Sequence, residues 1–343
     1  MGGDMTERGP LLQIRDLQTY FFTRRGVAKV LDGFDLDLRR GEILGLVGES
    51  GSGKSVTGYS IIGLLKHPGK VVGGEIRFYA EDGDTQGIDL VKVPAKEMAD
   101  VRGKKIAMIF QNPRSCLDPL MSVGDQIMEV LKYRRNMSKD EARAECIRLL
   151  KTVHIPEPER RMQAFPHQLS GGMAQRVMIA MAISCSPTLL IADEPTTGLD
   201  VTTEHQILEL LREMRDVTGA GVILITHDLN MAAEVCDRIT VMYAGNTAET
   251  APVETFFTAP RHPYTLGLLA SRPRLGEEGD IPTIPGNVPD LINRPGGCPF
   301  HPRCRWATDL CAEQEPELRT VGAGHTVACH HTEVVARDVV AAD

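Results

Sequence analysis

Gly48-Glu49-Ser50-Gly51-Ser52-Gly53-Lys54-Ser55 follows the pattern G-x-x-x-x-G-K-S. The apolar run Ile43 to Val47 precedes it and reads as a buried strand, and a helix can start at Ser55. Strand, glycine-rich loop and helix start, in that order, make a phosphate-binding loop. Glycines let successive backbone N–H groups turn inward around a polyphosphate, and the helix N-terminus adds partial positive charge. Lys54 then reaches the terminal phosphates and the Ser55 hydroxyl can ligate Mg²⁺. The stretch predicts an α/β core that binds a nucleoside triphosphate.

The rest of the composition narrows the partners. With 343 residues the chain has room for two or more folding units. Its 38 basic and 46 acidic residues give a net charge of −8, which argues against a general nucleic-acid binder. No apolar run approaches the roughly 20 residues of a membrane span. The start, MGGDMTERGP, carries no apolar signal region, so a reducing cytosol is expected. Met1, Gly2 and Thr6 fit a myristoylation pattern that recurs by chance and is read as fortuitous. Of eight cysteines, Cys116, Cys146, Cys185 and Cys236 are scattered and read as small core or neutral residues, while four crowd into the final fifth.

Ahead of the loop, Leu11 to Leu17 and Val30 to Leu38 alternate around the turn-like Arg24-Arg25-Gly26 and predict antiparallel strands. Between them Tyr20, Phe21 and Phe22 supply aromatic rings in a chain with only 5% aromatics. One ring of such a run can stack on an adenine. Alternation favours Phe21 for the base, with Tyr20 second. A helix over Val56 to Leu65 ends at Pro68-Gly69, a strand resumes at Glu75 to Tyr79, and the apolar strand Lys105 to Phe110 delivers Gln111. From Asn112 to about Ser186 the apolar period becomes helical, as in Asp140 to Val153, so a helical subdomain is expected there.

Three further groups carry chemistry. Gln168-Leu169-Ser170-Gly171-Gly172-Met173 opens a long helix, and a Ser-Gly-Gly step before a helix is a second anion-binding N-terminus. Thr188 to Ala192 is a buried strand ending in Asp193-Glu194, where one carboxylate can hold a metal shell while the other polarises water. Val222 to Thr226 is another buried strand and ends in His227. The strands bearing Gly48, Gln111, Asp193 and His227 all present polar groups at their C-terminal ends, where open α/β sheets bind ligands.

In this order and spacing the residues resemble the ATP-binding subunits of ABC transporters over about residues 11–258. Walker A is Gly48 to Ser55, the Q-loop Gln111, the signature Leu169 to Met173, Walker B Leu189 to Glu194, the D-loop passes through Asp200, and the H-loop is His227. The resemblance implies a P-loop NTPase core of the RecA-like type with an antiparallel β-subdomain and a helical signature subdomain. It implies a head-to-tail dimer with ATP between one chain's Walker motifs and the other's signature. Lys54 and the Walker A backbone would hold the phosphates, and Ser55, Gln111 and Asp193 would serve Mg²⁺. Glu194 would be the general base, His227 would contact the γ-phosphate, and Ser170, Gly171 and Gly172 would act on the partner's ATP. The last signature position is commonly Gln; here it is Met173, which removes that side-chain contact and leaves the backbone anion site intact.

The signature and the stretch Phe110 to Gly124 resemble the dipeptide and oligopeptide importer branch, in which the segment after the Q-loop receives a coupling helix of the permease. Arg261-His262-Pro263-Tyr264-Thr265, Ile284-Pro285-Gly286 and Cys298-Pro299-Phe300-His301-Pro302-Arg303-Cys304 resemble that branch's C-terminal extension, here residues 259–343. Residues 282–329 are rich in Pro, Gly and Cys with little helical periodicity, so a cross-linking metal would stabilise a small core. The spacing of Cys298, Cys304, Cys311 and Cys329 is not a C-x-x-C zinc pattern. Four thiolates suit an iron–sulfur cluster or zinc, and free thiols or disulfides remain alternatives. The family extension implies a 4Fe-4S cluster at these four residues, in a structural role.

The expectation is an ATP-hydrolysing subunit on the cytoplasmic face of a bacterial plasma membrane. Its expected partners are a paralogous ATPase, two permease chains and an extracytoplasmic binding protein, with di- or oligopeptides as cargo. Nickel, glutathione or another small solute is the alternative cargo. A soluble ABC ATPase acting on ribosomes or nucleic acid, or an iron–sulfur sensor, is the alternative class.

Overall fold

The structure, a computed structural model, describes residues 9–272 and 282–340; Met1, Gly2 and Thr6 lie outside them. Strands β1 (Pro10–Thr23) and β2 (Gly26–Arg39) form a long hairpin. In β2, buried Phe34, Leu36 and Leu38 alternate with Asp35 and Asp37, the period of a strand with one face on a core. Strands β3 (Ile43–Val47), β4 (Gly69–Phe78) and β5 (Ile88–Asp89) follow, and β4 and β5 join the hairpin in an antiparallel sheet of order β2-β1-β4-β5. The hairpin and β4 are longer than sequence alternation indicates, because register shifts around Ile14 to Leu17 break the period without breaking the pairing.

The second sheet holds β3, β6 (Ile106–Ile109), β7 (Leu189–Asp193), β8 (Gly221–Thr226), β9 (Arg238–Tyr243) and β10 (Asn246–Pro252), joined by β11 (Arg319–Gly322) and β12 (His325–Val327). Its order is β11-β12-β10-β9-β3-β8-β7-β6. Pairs β6–β7, β7–β8, β8–β3 and β3–β9 are parallel. Every residue of β3, β7 and β8 is buried, which is why these strands read as unbroken apolar runs. Parallel order puts the ends carrying Gly48, Gln111, Glu194 and His227 on one rim of the sheet.

Between β6 and β7 the chain is helical. The helix Val123–Arg135 starts at Ser122, whose hydroxyl accepts from the Asp125 N–H. The helix Lys139–Thr152 starts with a capping box of Ser138 and Glu141, and the helix Gly171–Ile183 packs its apolar face beneath both. The helix after the phosphate loop spans Lys54–Ile61, shorter than the Val56 to Leu65 expected, and its C-terminal cap is Ile62.

The C-terminal segment is less independent than its composition suggests. Strand β12 pairs antiparallel with β10, Glu249 opposite Val327, and β11 pairs with β12, so the tail continues the main sheet. Sequence patterning misses this because β12 is three residues long and one of its two inward residues is His325. It is buried against the buried carboxylate of Glu249, where alternation would have called for an apolar side chain.

Candidate functional site

The phosphate loop is held open by three glycines with left-handed backbone: Gly48 (φ 154°), Gly51 (φ 82°) and Gly53 (φ 109°). At Gly48 no side chain fits, since a Cβ would lie 2.3 Å from the Met242 carbonyl oxygen. Ser50 and Ser52 complete the loop, and the Ser52 N–H donates to the Glu49 carbonyl at 3.2 Å. Lys54 starts the following helix and turns back, donating to the carbonyls of Gly48 (2.8 Å) and Glu49 (3.0 Å). Burial lowers the Lys54 pKa, and the carboxylates of Glu194, Asp193 and Glu49 oppose that shift. A desolvated ammonium ringed by acids is a ready counter-ion for a polyphosphate.

Walker B geometry completes the rim. Ser55 Oγ, in the first turn of the helix after the loop, donates at 2.9 Å to Oδ1 of Asp193, the last residue of β7. Burial raises the Asp193 pKa, and the Ser55 hydrogen bond opposes it. A hydroxyl and a carboxylate so placed are oxygen ligands of the kind Mg²⁺ takes. Glu194 has a left-handed backbone (φ 46°), and its N–H donates to the Ile225 carbonyl at 2.9 Å. For a non-glycine residue this conformation carries strain on the order of 1 kcal/mol, a mark of sites where a side chain must be aimed. The Glu194 carboxylate accepts from Gln111 Nε2 (2.6 Å) and Thr197 Oγ1 (3.1 Å), and His227 Nδ1 lies 3.2 Å from its other oxygen.

Lys54, Ser55, Gln111, Glu194 and His227 line one cavity of about 680 Å³ with Ser50, Gly51, Gly53 and Val56. Such a cleft can hold a polyphosphate, ligate a hard cation and polarise a water against Glu194. Val30 and Leu291 also line it. Neither Tyr20 nor Phe21 does: the Tyr20 hydroxyl donates to Asp32 at 2.5 Å, and the Phe21 ring packs over Gly69. Both rings meet neighbours on the paired strands β2 and β4, and the ring that takes the base, Phe21 with Tyr20 second, stays a proposal.

The signature residues stand apart from this cavity. Ser170 caps the helix Gly171–Ile183 by accepting from the Met173 N–H at 3.2 Å. A Cβ at Gly172 would sit 2.7 Å from Thr203 Cγ2, and the Met173 side chain packs on the core. Asp200 caps the helix Val201–Thr218, accepting from the Thr203 N–H (3.0 Å) and hydroxyl (2.7 Å).

In the tail, Cys298, Cys304, Cys311 and Cys329 line one narrow cavity of about 10 Å³ beside Phe300 and Trp306, and no disulfide joins them. Burial pushes the Cys298 thiol up to about 12, and the neighbouring three thiols push the same way. Among the described residues, however, no group of three or more His, Cys, Asp or Glu side chains is arranged to hold a metal ion. The convergence of the four thiols is therefore observed, and the 4Fe-4S expectation, like zinc, gains no support from their disposition.

Sequence reading missed Thr197 and Leu291 at this site, and also Tyr264, whose hydroxyl accepts from the Glu49 N–H, and Arg303, whose guanidinium donates to the Glu49 carboxylate. The signal for Thr197 was present, three residues after Glu194 in the turn; the other three come from segments more than 200 residues beyond the loop.

Comparison with known proteins follows the same division. A family model described as "ABC transporter" matches residues 31–197, and one described as "Oligopeptide/dipeptide transporter, C-terminal region" matches residues 248–311. The "Oligopeptide transport ATP-binding protein OppD" of Escherichia coli (strain K12) is 47% identical over 320 residues, 93% of this chain and 92% of that protein. The "Dipeptide transport ATP-binding protein DppD" of the same organism is 44% identical over 322 residues, 94% and 96%. Among solved structures, "Dimeric structure of a post-hydrolysis state of the ATP-binding cassette MJ0796 bound to ADP and Pi" is similar at a TM-score of 0.63 and 28% identity, covering 71% of this chain and 99% of that one.

Proposed function

The chain belongs to the family of ABC-transporter ATP-binding subunits that carry the oligopeptide/dipeptide C-terminal region, and from that premise we propose that it hydrolyses ATP at a site shared with a second ATPase to drive peptide import. It is an ATPase and an energy-coupling subunit of a peptide-type importer. The observation that carries the residue assignment is the convergence of Lys54, Ser55, Gln111, Glu194 and His227 on one cavity.

In this reading Lys54 and the N–H groups of the loop other than that of Glu49, which donates to the Tyr264 hydroxyl, bind the β- and γ-phosphates, and Ser55, Asp193 and Gln111 serve Mg²⁺. Glu194 accepts the proton of the attacking water. Gln111 and Thr197 hold its carboxylate in place, and His227 meets the γ-phosphate. Ser170, Gly171 and Gly172, outside the cavity and at a helix N-terminus, act on the nucleotide of the other subunit, with Asp200 fixing the turn beside them. The similarity to a cassette solved as a dimer with ADP and Pi supports this composite arrangement. The second ATPase is proposed to be a paralogue.

A groove of about 310 Å³ lined by Phe110, Cys116, Leu117, Val130 and Met178 supports docking on the permease. Nearby Leu120 and Tyr133 are 86% and 78% exposed, apolar surface of the kind a partner covers. No described helix is long and apolar enough to cross a membrane, and the subunit is proposed to sit peripherally on the cytoplasmic face, below two permease chains fed by an extracytoplasmic binding protein. Residues 11–258 form the ATPase unit and 259–343 the extension, whose four cysteines are proposed to hold a structural cluster; anaerobic purification without bound iron or acid-labile sulfide would remove the cluster. The ATPase assignment is tested by Glu194→Gln. Nucleotide binding should persist while turnover falls by roughly 10²–10⁴, and near-normal turnover at sites formed by this chain would refute the role of Glu194.

A further inference from the structure

Glu49 occupies an unspecified position of the phosphate loop, yet its side chain is the most heavily engaged in the loop after Lys54. Arg303, from the far end of the chain, reaches it with a two-pronged contact: Nη1 donates to Oε2 at 2.7 Å and Nη2 to Oε1 at 3.1 Å. The Arg303 side chain is 4% exposed and that of Glu49 is 29% exposed. Arg303 is itself fixed, its Nε donating to the Pro285 carbonyl at 2.8 Å and Nη1 to the Tyr243 hydroxyl at 3.3 Å. A second tail residue grips the same point: the Glu49 N–H donates to the buried Tyr264 hydroxyl at 2.8 Å, so this N–H faces away from the phosphate cradle.

We propose that Arg303 is a positioning residue for ATP binding: it fixes the first turn of the phosphate loop and neutralises the Glu49 carboxylate at the mouth of the triphosphate site. The inference rests on the reading of Gly48 to Ser55 as the ATP site. Two physical effects act in the same direction. Fork-to-carboxylate pairing fixes orientation as well as distance, which a lysine cannot reproduce. An unpaired carboxylate at the loop would repel the incoming polyphosphate. The loop Cys298 to Cys304 that presents Arg303 is packed through Phe300 onto Tyr243 and Tyr264, so the guanidinium is held by the fold and not by a flexible tether.

The test is a double-mutant cycle on the full-length chain with Arg303→Met and Glu49→Gln, read as the dissociation constant of a fluorescent ATP analogue and as KM and kcat for ATP. Arg303→Met should raise the dissociation constant and KM about tenfold, the order of one charge-assisted pair that is partly solvent-exposed, with kcat at saturating ATP held within about twofold. In the Glu49→Gln background the same substitution should change binding less than about threefold, because Arg303 acts through that carboxylate. An equal loss in both backgrounds would overturn the proposal, as would a fall in kcat with KM unmoved. The cycle is repeated with Arg303→Lys, which keeps the charge within the same packed loop, so a folding failure of the Met variant still leaves a decisive measurement. Wild-type protein that bound no ATP analogue would overturn the ATP site as well; wild-type binding with no coupling between the two residues overturns the positioning role alone.

Discussion

Replacing His325 with Ala should undock the C-terminal strands from the main sheet while leaving the ATPase core folded. Glu249 is fully buried, and its carboxylate accepts from the N–H groups of Arg261 (2.7 Å) and His262 (3.0 Å) and from His325 Nε2 (2.7 Å). Removing the imidazole takes away one of three donors to a buried charge. An orphaned buried carboxylate would cost about 3–5 kcal/mol, but two backbone donors remain, so the loss is that of one hydrogen bond to a charged group, about 1.5–3 kcal/mol. The loss falls on β12, which has three residues and meets β10 at two register positions. At about 1.4 kcal/mol for each tenfold, local opening should speed amide exchange in β11 and β12 by roughly 10- to 100-fold. Hydrogen–deuterium exchange by mass spectrometry measures this, with β8 as the internal reference. Unchanged protection in β12 would refute the reasoning, and so would equal acceleration in β8, which would make the contact a determinant of global stability. His325→Gln, which keeps an N–H donor, should recover part of the protection.

Two further outcomes are specific to this structure. Gly172→Ala should lower the melting midpoint by several degrees, since its Cβ would meet Thr203 Cγ2 at 2.7 Å and overpacking costs about 1–3 kcal/mol; Thr203→Ser, which removes that methyl and keeps the hydroxyl that bonds Asp200, should restore it in the double variant. Burial lowers the His262 pKa from 6.5 to about 4, and the nearby Glu249 opposes the shift. The unfolded chain therefore binds the proton first, and the folded state loses up to about 3 kcal/mol as pH falls from 6.5 to 4. Denaturation midpoints across that range should show the slope, and His262→Asn, which can still accept from the Tyr264 N–H, should flatten it; an unaltered slope would remove His262 as its source.

The nucleotide rim was legible because its chemistry is tied to backbone geometry that leaves a local trace. Gly48 has no room for a Cβ, the β3, β7 and β8 strands are buried on both faces, the helix start at Lys54 follows a glycine-rich turn, and the helix behind the Ser170 cap opens with Gly171-Gly172. Each of those requirements constrains adjacent residues, so each appears as a short pattern. The adenine side is less legible for the complementary reason. Aromatic content singled out Tyr20 and Phe21, but pairing placed their rings against Asp32 and Gly69, and nothing local to residues 20–22 encodes which neighbours β2 and β4 bring. The four tail cysteines fall between these cases. Their crowding into the final fifth and the resemblance of the extension suggested a common site, and their thiols do share one cavity, but spacing carries no record of the Phe300 and Trp306 side chains that line it with them.

Glu49 is where the local loop pattern and the distant C-terminal segment meet. The phosphate-loop pattern leaves that residue free because backbone N–H groups, and not the side chain, meet the phosphate. Freedom in the motif is what allows the side chain to serve another part of the fold. Its carboxylate faces Arg303 and its N–H faces Tyr264, both within the stretch that matches the oligopeptide/dipeptide transporter C-terminal region. The same segment sends Arg294 to Asp32 at 3.0 Å and accepts the Lys29 N–H at the Leu291 carbonyl at 2.9 Å, and the chain beyond it adds β12 to the sheet. Contacts at the loop, at the hairpin and at the sheet edge fix three separate points of the core, and three non-collinear points determine an orientation. The tail is thus held in one pose relative to the phosphate loop, and a displacement of the loop Cys298 to Cys304 has to be taken up at Glu49, where Arg303 joins the two.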